Sequence, residues 1–260
     1  MLPIDLIFVR HGQSEGNLAA RMSEKGDNSF FTPEFRDRHS RSFRLTDKGI
    51  EQAKAAGEWL RKNVPMPLDH FYVSDHIRAK ETAVYLDLPQ AQWNDKYVLR
   101  ERDQALVGNY LNHKQDHFDQ FFSYPAGWGE SIATLCFRLK SGFFDELEKE
   151  CQSETETAIA VCHGHVMRAA EVIAEDLGHD DFVRLDSSKE PTDRILNCQI
   201  IWYTRRDPDT LVECSKFVAV RSVCAHGLKG DYGWRRIQRH RYSNEDLMAE
   251  VQKYPRHLNG

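Results

Sequence analysis

Two arginines and two histidines in this sequence have the chemical types needed to transfer a phosphoryl group. Arg10 and His11 are adjacent, and Arg78 and His163 each follow an apolar segment later in the chain. A neutral imidazole is a nucleophile near neutral pH, and a guanidinium group donates paired hydrogen bonds to phosphate oxygens. If the fold brings these four side chains together, they form a site for phosphate chemistry.

Three short apolar segments are predicted to be the strands that position these residues. They span about residues 4–9, 70–74 and 157–162, and each is followed by a polar turn and a helical pattern. Such alternation is typical of a mainly parallel sheet with right-handed crossovers. Ligands bind beyond the carboxyl ends of these strands, where His11 and His163 lie. We therefore expect the two arginines and the two histidines at one edge of the sheet.

Capping residues and apolar spacing predict the helices that surround this sheet. Thr46 can cap an amphipathic helix that leads into the next strand. A second such helix starts at Ser131, and a third follows the last of the three strands. Ser243 is predicted to cap a short C-terminal helix in which Leu247 and Val251 face inward. The predicted fold is α/β, a three-layer α/β/α sandwich with a mainly parallel central sheet.

A single domain is expected over residues 1–260, with further strands at 198–204 and 211–220. Three polar stretches do not fit the regular scheme and are interpreted as loop insertions, since the sequence contains no internal repeat. They lie at about 19–44, 178–197 and 221–242. Long loops on a rigid scaffold commonly select the substrate.

The overall composition argues against several classes of protein. A net charge of −5 and a pI near 6.2 do not suit a nucleic-acid-binding protein with a globally basic surface. No apolar stretch is long enough for a membrane helix, and the first residues lack the pattern of an export signal. The six cysteines are scattered without a CxxC pair, so we expect reduced thiols in a cytoplasmic protein.

Five ordered motifs resemble the signatures of the histidine phosphatase superfamily, which also contains the cofactor-dependent phosphoglycerate mutases. Together they cover roughly residues 4–177 and are far more specific than any single tripeptide. The resemblance implies a phosphoglycerate mutase-like fold. The motifs are Arg10, His11, Gly12, Ser14 and Asn17; Leu45, Thr46, Gly49, Gln52 and Ala53; Ser74, Arg78, Ala79, Thr82 and Ala83; Gly129, Glu130 and Ser131; and His163 with Gly164.

The resemblance also implies a mechanism for these positions. His11 would attack the phosphorus in line and become a phosphohistidine, while Arg10, Arg78 and His163 would hold the phosphoryl oxygens. Glu101 occupies the position of the family's proton donor to the leaving alcohol. By the same resemblance, neither a metal ion nor an organic cofactor is expected to take part.

The loop after the first strand is expected to complete the binding of the substrate. Ser14 and Asn17 would contact the substrate or its phosphate, as the resemblance implies. Gly12 allows a sharp turn, and exposed amides around Gly12 and Gln13 could add contacts to the anion. Gly164, which follows the second histidine, belongs to the same expected binding site.

Two assignments in the predicted site keep an alternative. Glu101 stands in a mixed run of charges, so Asp103 could be the proton donor instead, or the run could be solvated surface. His163 and His165 form a His-x-His pair, but no further set of ligands with established spacing accompanies it, and no metal site is predicted. His165 is interpreted as a pocket-wall or helix-start residue.

Two groups of basic residues lie in the predicted insertions. Either group could attract an anionic substrate through its local field. The sequence is equally compatible with a solvated loop in which these residues pair with nearby Asp and Glu. One group consists of Arg36, Arg38, His39, Arg41 and Arg44, and the other of Arg235, Arg236, Arg239, His240 and Arg241.

The leading hypothesis is a phosphomonoester hydrolase acting on a small phosphorylated substrate, without a nucleic-acid or membrane partner; a homodimer is left open. A mutase is the alternative, although mutases of the family commonly carry Trp where this chain has Gly16 and an aromatic-Gly pair where it has Asp103 and Gln104. The stretch at 108–114 faintly resembles the mutase pattern. The third hypothesis is a non-catalytic phosphate-binding module of the same fold.

Overall fold

A sheet with helices on both faces is the framework of the protein. The computed structural model describes residues 1–102, 121–122, 129–153, 156–227 and 230–257. The strands found there are β1 (Asp5–Arg10), β2 (His70–Val73), β3 (Trp93–Asp95), β4 (Thr157–Cys162), β5 (Ile200–Thr204), β6 (Ala219–Val223) and β7 (Asp231–Arg236). They form one sheet in the order β3-β2-β4-β1-β5-β6-β7.

The helices of the described residues connect these strands and flank the sheet. They are α1 (Glu15–Ser23), α2 (Pro33–Asp37), α3 (Asp47–Asn63), α4 (Ile77–Leu86), α5 (Ile132–Leu139), α6 (Asp145–Glu150), α7 (Gly164–Glu175), α8 (His179–Ser187) and α9 (Asn244–Val251). A π-helical turn at Lys140–Phe144 joins α5 to α6, and 3-10 turns lie at Ser40–Ser42 and Tyr97–Leu99. None of the helices in these ranges combines the length and the apolar character needed to cross a membrane.

The parallel half of the sheet is the half that the sequence predicts best. Strands β3, β2, β4 and β1 are parallel, whereas β5, β6 and β7 extend the sheet in antiparallel fashion. The three strands predicted first are confirmed to within one residue at each end. The cap at Thr46 is confirmed, since its Oγ1 accepts from the Gly49 amide at 3.2 Å. The helix predicted from Ser131 is confirmed too, and Ser131 Oγ caps it by accepting from the Thr134 amide at 3.1 Å.

The predictions for the second half of the chain need correction. A strand at 211–220 is wrong: the backbone is left-handed at Leu211, and β6 begins only near the end of that range. The insertion at 221–242 is not irregular throughout, because it contains β7, an edge strand whose polar residues conceal its pattern. The insertion at 19–44 contains α2, and the one at 178–197 contains α8.

The C-terminal helix α9 begins where predicted but does not pack as predicted. Ser243 Oγ accepts from the Asp246 amide at 3.1 Å, so the cap is confirmed. The inward orientation of Leu247 and Val251 is wrong, since they are 50% and 62% exposed. The helix lies in the chain beyond the edge strand β7, and none of its residues is buried.

Strand β1 divides its side chains between the cores on the two faces of the sheet. Leu6 and Phe8 pack in the core that includes residues of α5 and α7. Ile7 and Val9 pack in the core that includes residues of α3 and α4. Because successive side chains of a strand point to opposite faces, this nearly continuous apolar run is buried on both sides. The carboxyl end of β1 is therefore held in place from both faces.

The start of α3 holds the loop that follows β1. The carbonyl oxygen of Gln13 accepts from the Thr46 amide at 2.9 Å, and the Gln13 amide donates to Gln52 Oε1 at 2.9 Å. A Cβ on Gly49 would lie 2.9 Å from the Gln13 nitrogen and closer still to its carbonyl oxygen. The helix can approach the loop this closely only because Gly49 has no side chain.

We expect Gly49→Ala to destabilise the protein by about 1–3 kcal/mol, because the added methyl group overlaps backbone atoms that cannot turn away. Urea unfolding would measure the loss. The matched control is Gly178→Ala, where a Cβ would meet its nearest atom, Asp181 Oδ2, at 3.9 Å. Equal stability losses in the two variants would show that the approach of α3 to the loop is not tightly constrained.

Candidate active site

The structure brings the predicted nucleophile together with its expected partners. His11 follows β1, His163 follows β4, and Arg78 projects from α4. Arg78 Nε donates to His11 Nε2 at 3.1 Å, and the rings of His11 and His163 meet edge to face with centroids 5.0 Å apart. These three side chains are buried, with exposed fractions of 2% for His11, 0% for His163 and 7% for Arg78.

Hydrogen bonds define which nitrogen of His11 carries the proton. Nδ1 lies 2.7 Å from the carbonyl oxygen of Gly12, which can only accept, so Nδ1 bears the hydrogen. Nε2 then keeps its lone pair, and Arg78 donates to it. The nitrogen that can act as a nucleophile is thus the one that faces Arg78.

Burial and neighbouring positive charges keep both histidines neutral. Burial, followed by the charges of Arg78 and Arg10, lowers the pKa of His11 well below its usual value. Burial, Arg78 and His11 do the same to the pKa of His163. Burial also lowers the pKa of Arg78, but only to about 10, so its guanidinium stays charged at neutral pH.

Several buried polar atoms around His11 have no hydrogen-bond partner among the described residues. They include Arg10 Nε and His163 Nδ1. Another nitrogen of each group has a partner: Arg10 Nη1 donates to the Ile195 carbonyl at 2.6 Å, and His163 Nε2 lies 2.8 Å from Ser74 Oγ. Buried polar groups are rarely left unpaired, so these atoms suit an anion that brings its own acceptors.

The amides of the loop after β1 are not exposed as predicted. The Gly12 amide donates to Thr82 Oγ1 at 3.0 Å, and the Gln13 amide donates to Gln52 Oε1 at 2.9 Å. The expectation that these amides contact the anion is therefore wrong for this arrangement, because α4 and α3 already accept their hydrogens. The loop is shaped by its contacts to the two helices.

Ser14 and Asn17 form a capping box at the start of α1. Ser14 Oγ accepts from the Asn17 amide at 3.3 Å, and Asn17 Oδ1 accepts from the Ser14 amide at 3.2 Å. Their contact with a substrate stays a prediction. Gly164 starts α7 beside Arg10, where a Cβ would lie 3.6 Å from the guanidinium carbon.

Asn197 is a site residue that the sequence analysis missed. Its Nδ2 donates to the carbonyl oxygen of His11 and to Asn17 Oδ1, both at 3.1 Å. The residue lies just before β5, which runs antiparallel to β1. The start of an antiparallel strand lies at the same edge as the carboxyl ends of the parallel strands, so its position could have been found once the direction of β5 was known.

Glu101 lies at the site as a carboxylate. Its Oε1 accepts from the Arg102 amide at 2.9 Å and lies 3.7 Å from His165 Nδ1. Burial raises its pKa, but the hydrogen bond and charge of His165, the charge of Arg78 and the Arg102 amide outweigh this, so the pKa is lowered to about 2. The alternative proton donor Asp103 lies outside the described residues.

His76 is a third histidine of the site and was also missed. It is 4% exposed, its ring centroid lies 4.8 Å from that of His163, and its Nδ1 has no partner among the described residues. Burial, followed by the charges of Arg78 and Arg100, lowers its pKa to about 3. Nothing in the sequence distinguishes it except its place two residues before Arg78.

Most arginines of the predicted insertions pair with acids of this chain. Arg38 donates to both oxygens of Glu15, at 3.0 and 2.8 Å, and Arg235 binds the buried Glu175 at 2.8 Å. The same holds for Arg44 with Glu81 and for Arg236 with Asp207 and Asp209. For these arginines the structure shows internal pairing with Asp and Glu, which was the alternative to attracting an anionic substrate.

Residues that could share a metal ion lie at the opposite edge of the sheet. Within the described ranges they are His70, Cys151 and Glu156, near the starts of β2 and β4. His70 Nε2 already lies 2.6 Å from Glu156 Oε2. Burial and the nearby Glu156 raise the pKa of the Cys151 thiol to about 12, so the cluster is a hydrogen-bonded group and not a preformed thiolate ligand set.

The sequence model of the histidine phosphatase superfamily (branch 1) matches residues 6–192 of the chain. A curated relative is the 2,3-bisphosphoglycerate-dependent phosphoglycerate mutase of Methylocella silvestris. The two sequences are 28% identical over 185 residues, which are 66% of this chain and 82% of the relative.

Solved structures share the fold at low sequence identity. A mycobacterial glucosyl-3-phosphoglycerate phosphatase complexed with VO3 has a TM-score of 0.59 and 21% identity, and the match covers 77% of this chain and 92% of that one. A phosphoserine phosphatase of Entamoeba histolytica in complex with 3-phosphoglyceric acid has a TM-score of 0.57 and 17% identity, with coverage of 79% and 92%.

The neutral buried histidines predict how stability depends on pH. Below pH 6.5 the unfolded chain protonates its histidines while His11, His76 and His163 stay neutral in the native state. The unfolded state then binds more protons than the native state. For each of these three histidines, the free energy of unfolding therefore falls with decreasing pH, by up to about 1.4 kcal/mol per pH unit. Urea unfolding between pH 6.5 and 5 should show this slope. His163→Gln should reduce it. The control is His257→Gln, which removes an exposed histidine, and equal slopes in the two variants would contradict the assignment.

The contact between His165 and Glu101 predicts how the Glu101 carboxyl group titrates in a variant. We expect His165→Gln to raise the pKa of Glu101, because the variant removes the hydrogen bond and positive charge that favour the carboxylate. The carboxyl carbon shift of Glu101, followed by NMR against pH, would measure the change. His257→Gln is again the control, and an unchanged Glu101 titration in His165→Gln would show that the carboxylate depends on other groups.

Proposed function

The chain belongs to the histidine phosphatase superfamily, and on this basis we propose that it is a phosphomonoester hydrolase that acts through a phosphohistidine on His11. One observation carries the proposal. The Gly12 carbonyl fixes the proton of His11 on Nδ1, so that Nε2 presents a lone pair among the guanidinium groups of Arg10 and Arg78. A site that only bound phosphate would not require a neutral imidazole held in this tautomer.

In the first step His11 Nε2 attacks phosphorus and the bond from phosphorus to the ester oxygen breaks. In the free site Arg78 donates to that lone pair. The incoming phosphoryl oxygens must therefore replace His11 as the acceptor of this hydrogen bond before Nε2 can attack. Arg10 Nε, buried and without a partner among the described residues, supplies a further donor. If Ser74 donates to Nε2 of His163, the proton of that ring lies on Nδ1. Nδ1 can then donate to an oxygen of the incoming phosphoryl group.

Glu101 is proposed to move the protons of both steps. It is ionised in the free site, where the charge of Arg78 helps to hold its pKa at about 2. A bound phosphoryl dianion offsets that positive charge, so the pKa of Glu101 rises; the carboxylate takes up a proton from solvent and gives it to the leaving alcohol. The resulting carboxylate then takes a proton from the water that attacks phosphorus, and the bond to Nε2 breaks to restore neutral His11. When phosphate leaves, Glu101 returns that proton to solvent and is again ionised.

A mutase is the second candidate, because the curated relative named above is one. The surroundings of Gly16 favour the hydrolase, since a Cβ there would lie 2.9 Å from the ring of Phe43. Mutases of the family commonly carry Trp at this position, and a Trp here would fit only if Phe43 moved. The stretch at 108–114 and the pair Asp103 and Gln104, on which the comparison with mutases also depends, lie outside the described residues.

Trapping the intermediate tests the proposed function. The protein would be mixed with phenyl phosphate and sugar phosphates, quenched in alkali and examined by mass spectrometry for an acid-labile phosphoryl group. We expect the adduct on His11, and we expect His11→Ala to lose at least about 1000-fold in turnover because the variant lacks the proposed nucleophile. His257→Ala, which removes an exposed histidine, is the control.

An adduct on another residue, or full turnover by His11→Ala, would contradict the mechanism. The products of the same reactions separate the two candidate activities. Free phosphate identifies a hydrolase, whereas an isomerised ester without release of phosphate identifies a mutase.

A further inference from the structure

A cavity opens beside the reacting residues and is not used by the mechanism described above. Its volume is about 570 Å³, enough for a small organic molecule. The residues that line it are His39, Arg41, Ser42, Ile77 and Arg100.

Every segment that lines the cavity is tied to the reacting site. Ile77 and Arg100 directly precede Arg78 and Glu101 in the chain. The 3-10 turn that follows His39 is joined to the site by a hydrogen bond of 2.8 Å from Arg78 Nη1 to the carbonyl of Ser40. A substrate with its phosphoryl group at His11 would therefore extend toward this cavity.

The two arginines of the cavity share one carboxylate among the described residues. Arg41 Nε lies 3.3 Å and Arg100 Nη2 lies 3.9 Å from the same oxygen of Asp75. The other oxygen, Oδ1, is buried and has no hydrogen-bond partner there, so neither arginine forms a two-point pair. By contrast, Arg38 in the same insertion binds both oxygens of its own acid.

This pairing leaves the cavity with excess positive charge that solvent can reach. The side chains of Arg41 and Arg100 are 53% and 42% exposed, whereas that of Asp75 is only 14% exposed. Among the described residues, only Arg41 Nε and Arg100 Nη2 are used, on the carbonyl and the carboxylate of Asp75, so the remaining donors can bind an incoming anion. A guanidinium group can bind the oxygens of either a carboxylate or a phosphate in two-point geometry.

We propose that Arg41 and Arg100 bind a second anionic group of the substrate, a carboxylate or a second phosphate, while the first phosphate reacts at His11. This inference rests on the proposed function and deepens it. It makes the substrate a small molecule with two separate anionic groups, and it makes these arginines the residues that select it.

A series of three-carbon esters tests this subsite. Glycerol 1-phosphate has an uncharged end, 3-phosphoglycerate has a carboxylate there, and glycerol 1,3-bisphosphate has a second phosphate. We expect kcat/KM to favour the two doubly anionic esters over glycerol 1-phosphate. That preference should fall by about 10-fold for each arginine removed in Arg41→Gln and Arg100→Gln, mainly through KM, because a charge-assisted hydrogen bond is lost. The larger of the two preferences identifies the second group.

Two further variants sharpen the test. Arg36→Gln removes an exposed arginine of the same insertion that does not line the cavity, and it should leave the preference unchanged. Arg41→Lys should keep part of the preference because it keeps the charge. Equal kcat/KM values for the three esters in the unaltered protein, or a preference that survives loss of both arginines, would overturn the proposal.

Failure of this inference can be told from failure of the proposed function. If no ester releases phosphate and no adduct forms on His11, the hydrolase proposal fails. Calorimetric binding of the three esters still tests the subsite in that case. Tighter binding of the doubly anionic esters that depends on Arg41 and Arg100 supports it, and equal binding overturns it.

Discussion

The register between β1 and β4 is the constraint on which the site depends. Arg10 lies opposite Cys162 in this parallel pair, and the His11 amide donates to the Cys162 carbonyl at 3.0 Å. The two strands therefore end together, and the residues that follow them are the two histidines. Because both strands are buried on both faces, neither can slip by a residue without exposing apolar side chains and burying polar ones. Packing of the two cores thus fixes the distance between His11 and His163.

The same burial creates an electrostatic condition that only an anion satisfies. Arginines and histidines are brought together in a space nearly closed to water, and the histidines respond by staying neutral. The arginines stay charged, with Glu101 as a nearby carboxylate. The hydrogen bond from Arg78 to His11 satisfies a donor in the free site but also occupies the nucleophile. An incoming phosphoryl group would relieve the positive charge and release the lone pair in one event.

The sequence could predict the parts of the fold whose residue pattern is local. β1, β2 and β4 are apolar runs, and Thr46 and Ser131 are side-chain caps, so each is visible without knowledge of the partners. β7 and the exposed face of α9 depend on what lies beside them, which no local pattern reports. Within the site, Asn197 and His76 acquire their places from strand direction and ring packing, and the loop amides are occupied by two side chains from distant helices.

Under the proposed function, one side chain would couple substrate selection to catalysis. Arg78 donates to His11 with Nε and to the Ser40 carbonyl with Nη1, so the guanidinium that faces the nucleophile also holds the insertion that carries Arg41. A rotation of Arg78 toward a phosphoryl group must change its bond to Ser40. The 3-10 turn at Ser40–Ser42, which contributes Arg41 and Ser42 to the cavity, would then respond to occupation of the reacting site. The stretch at 19–44 is thus connected directly to the candidate active site, and the proposed function makes it part of the structure that responds to the substrate.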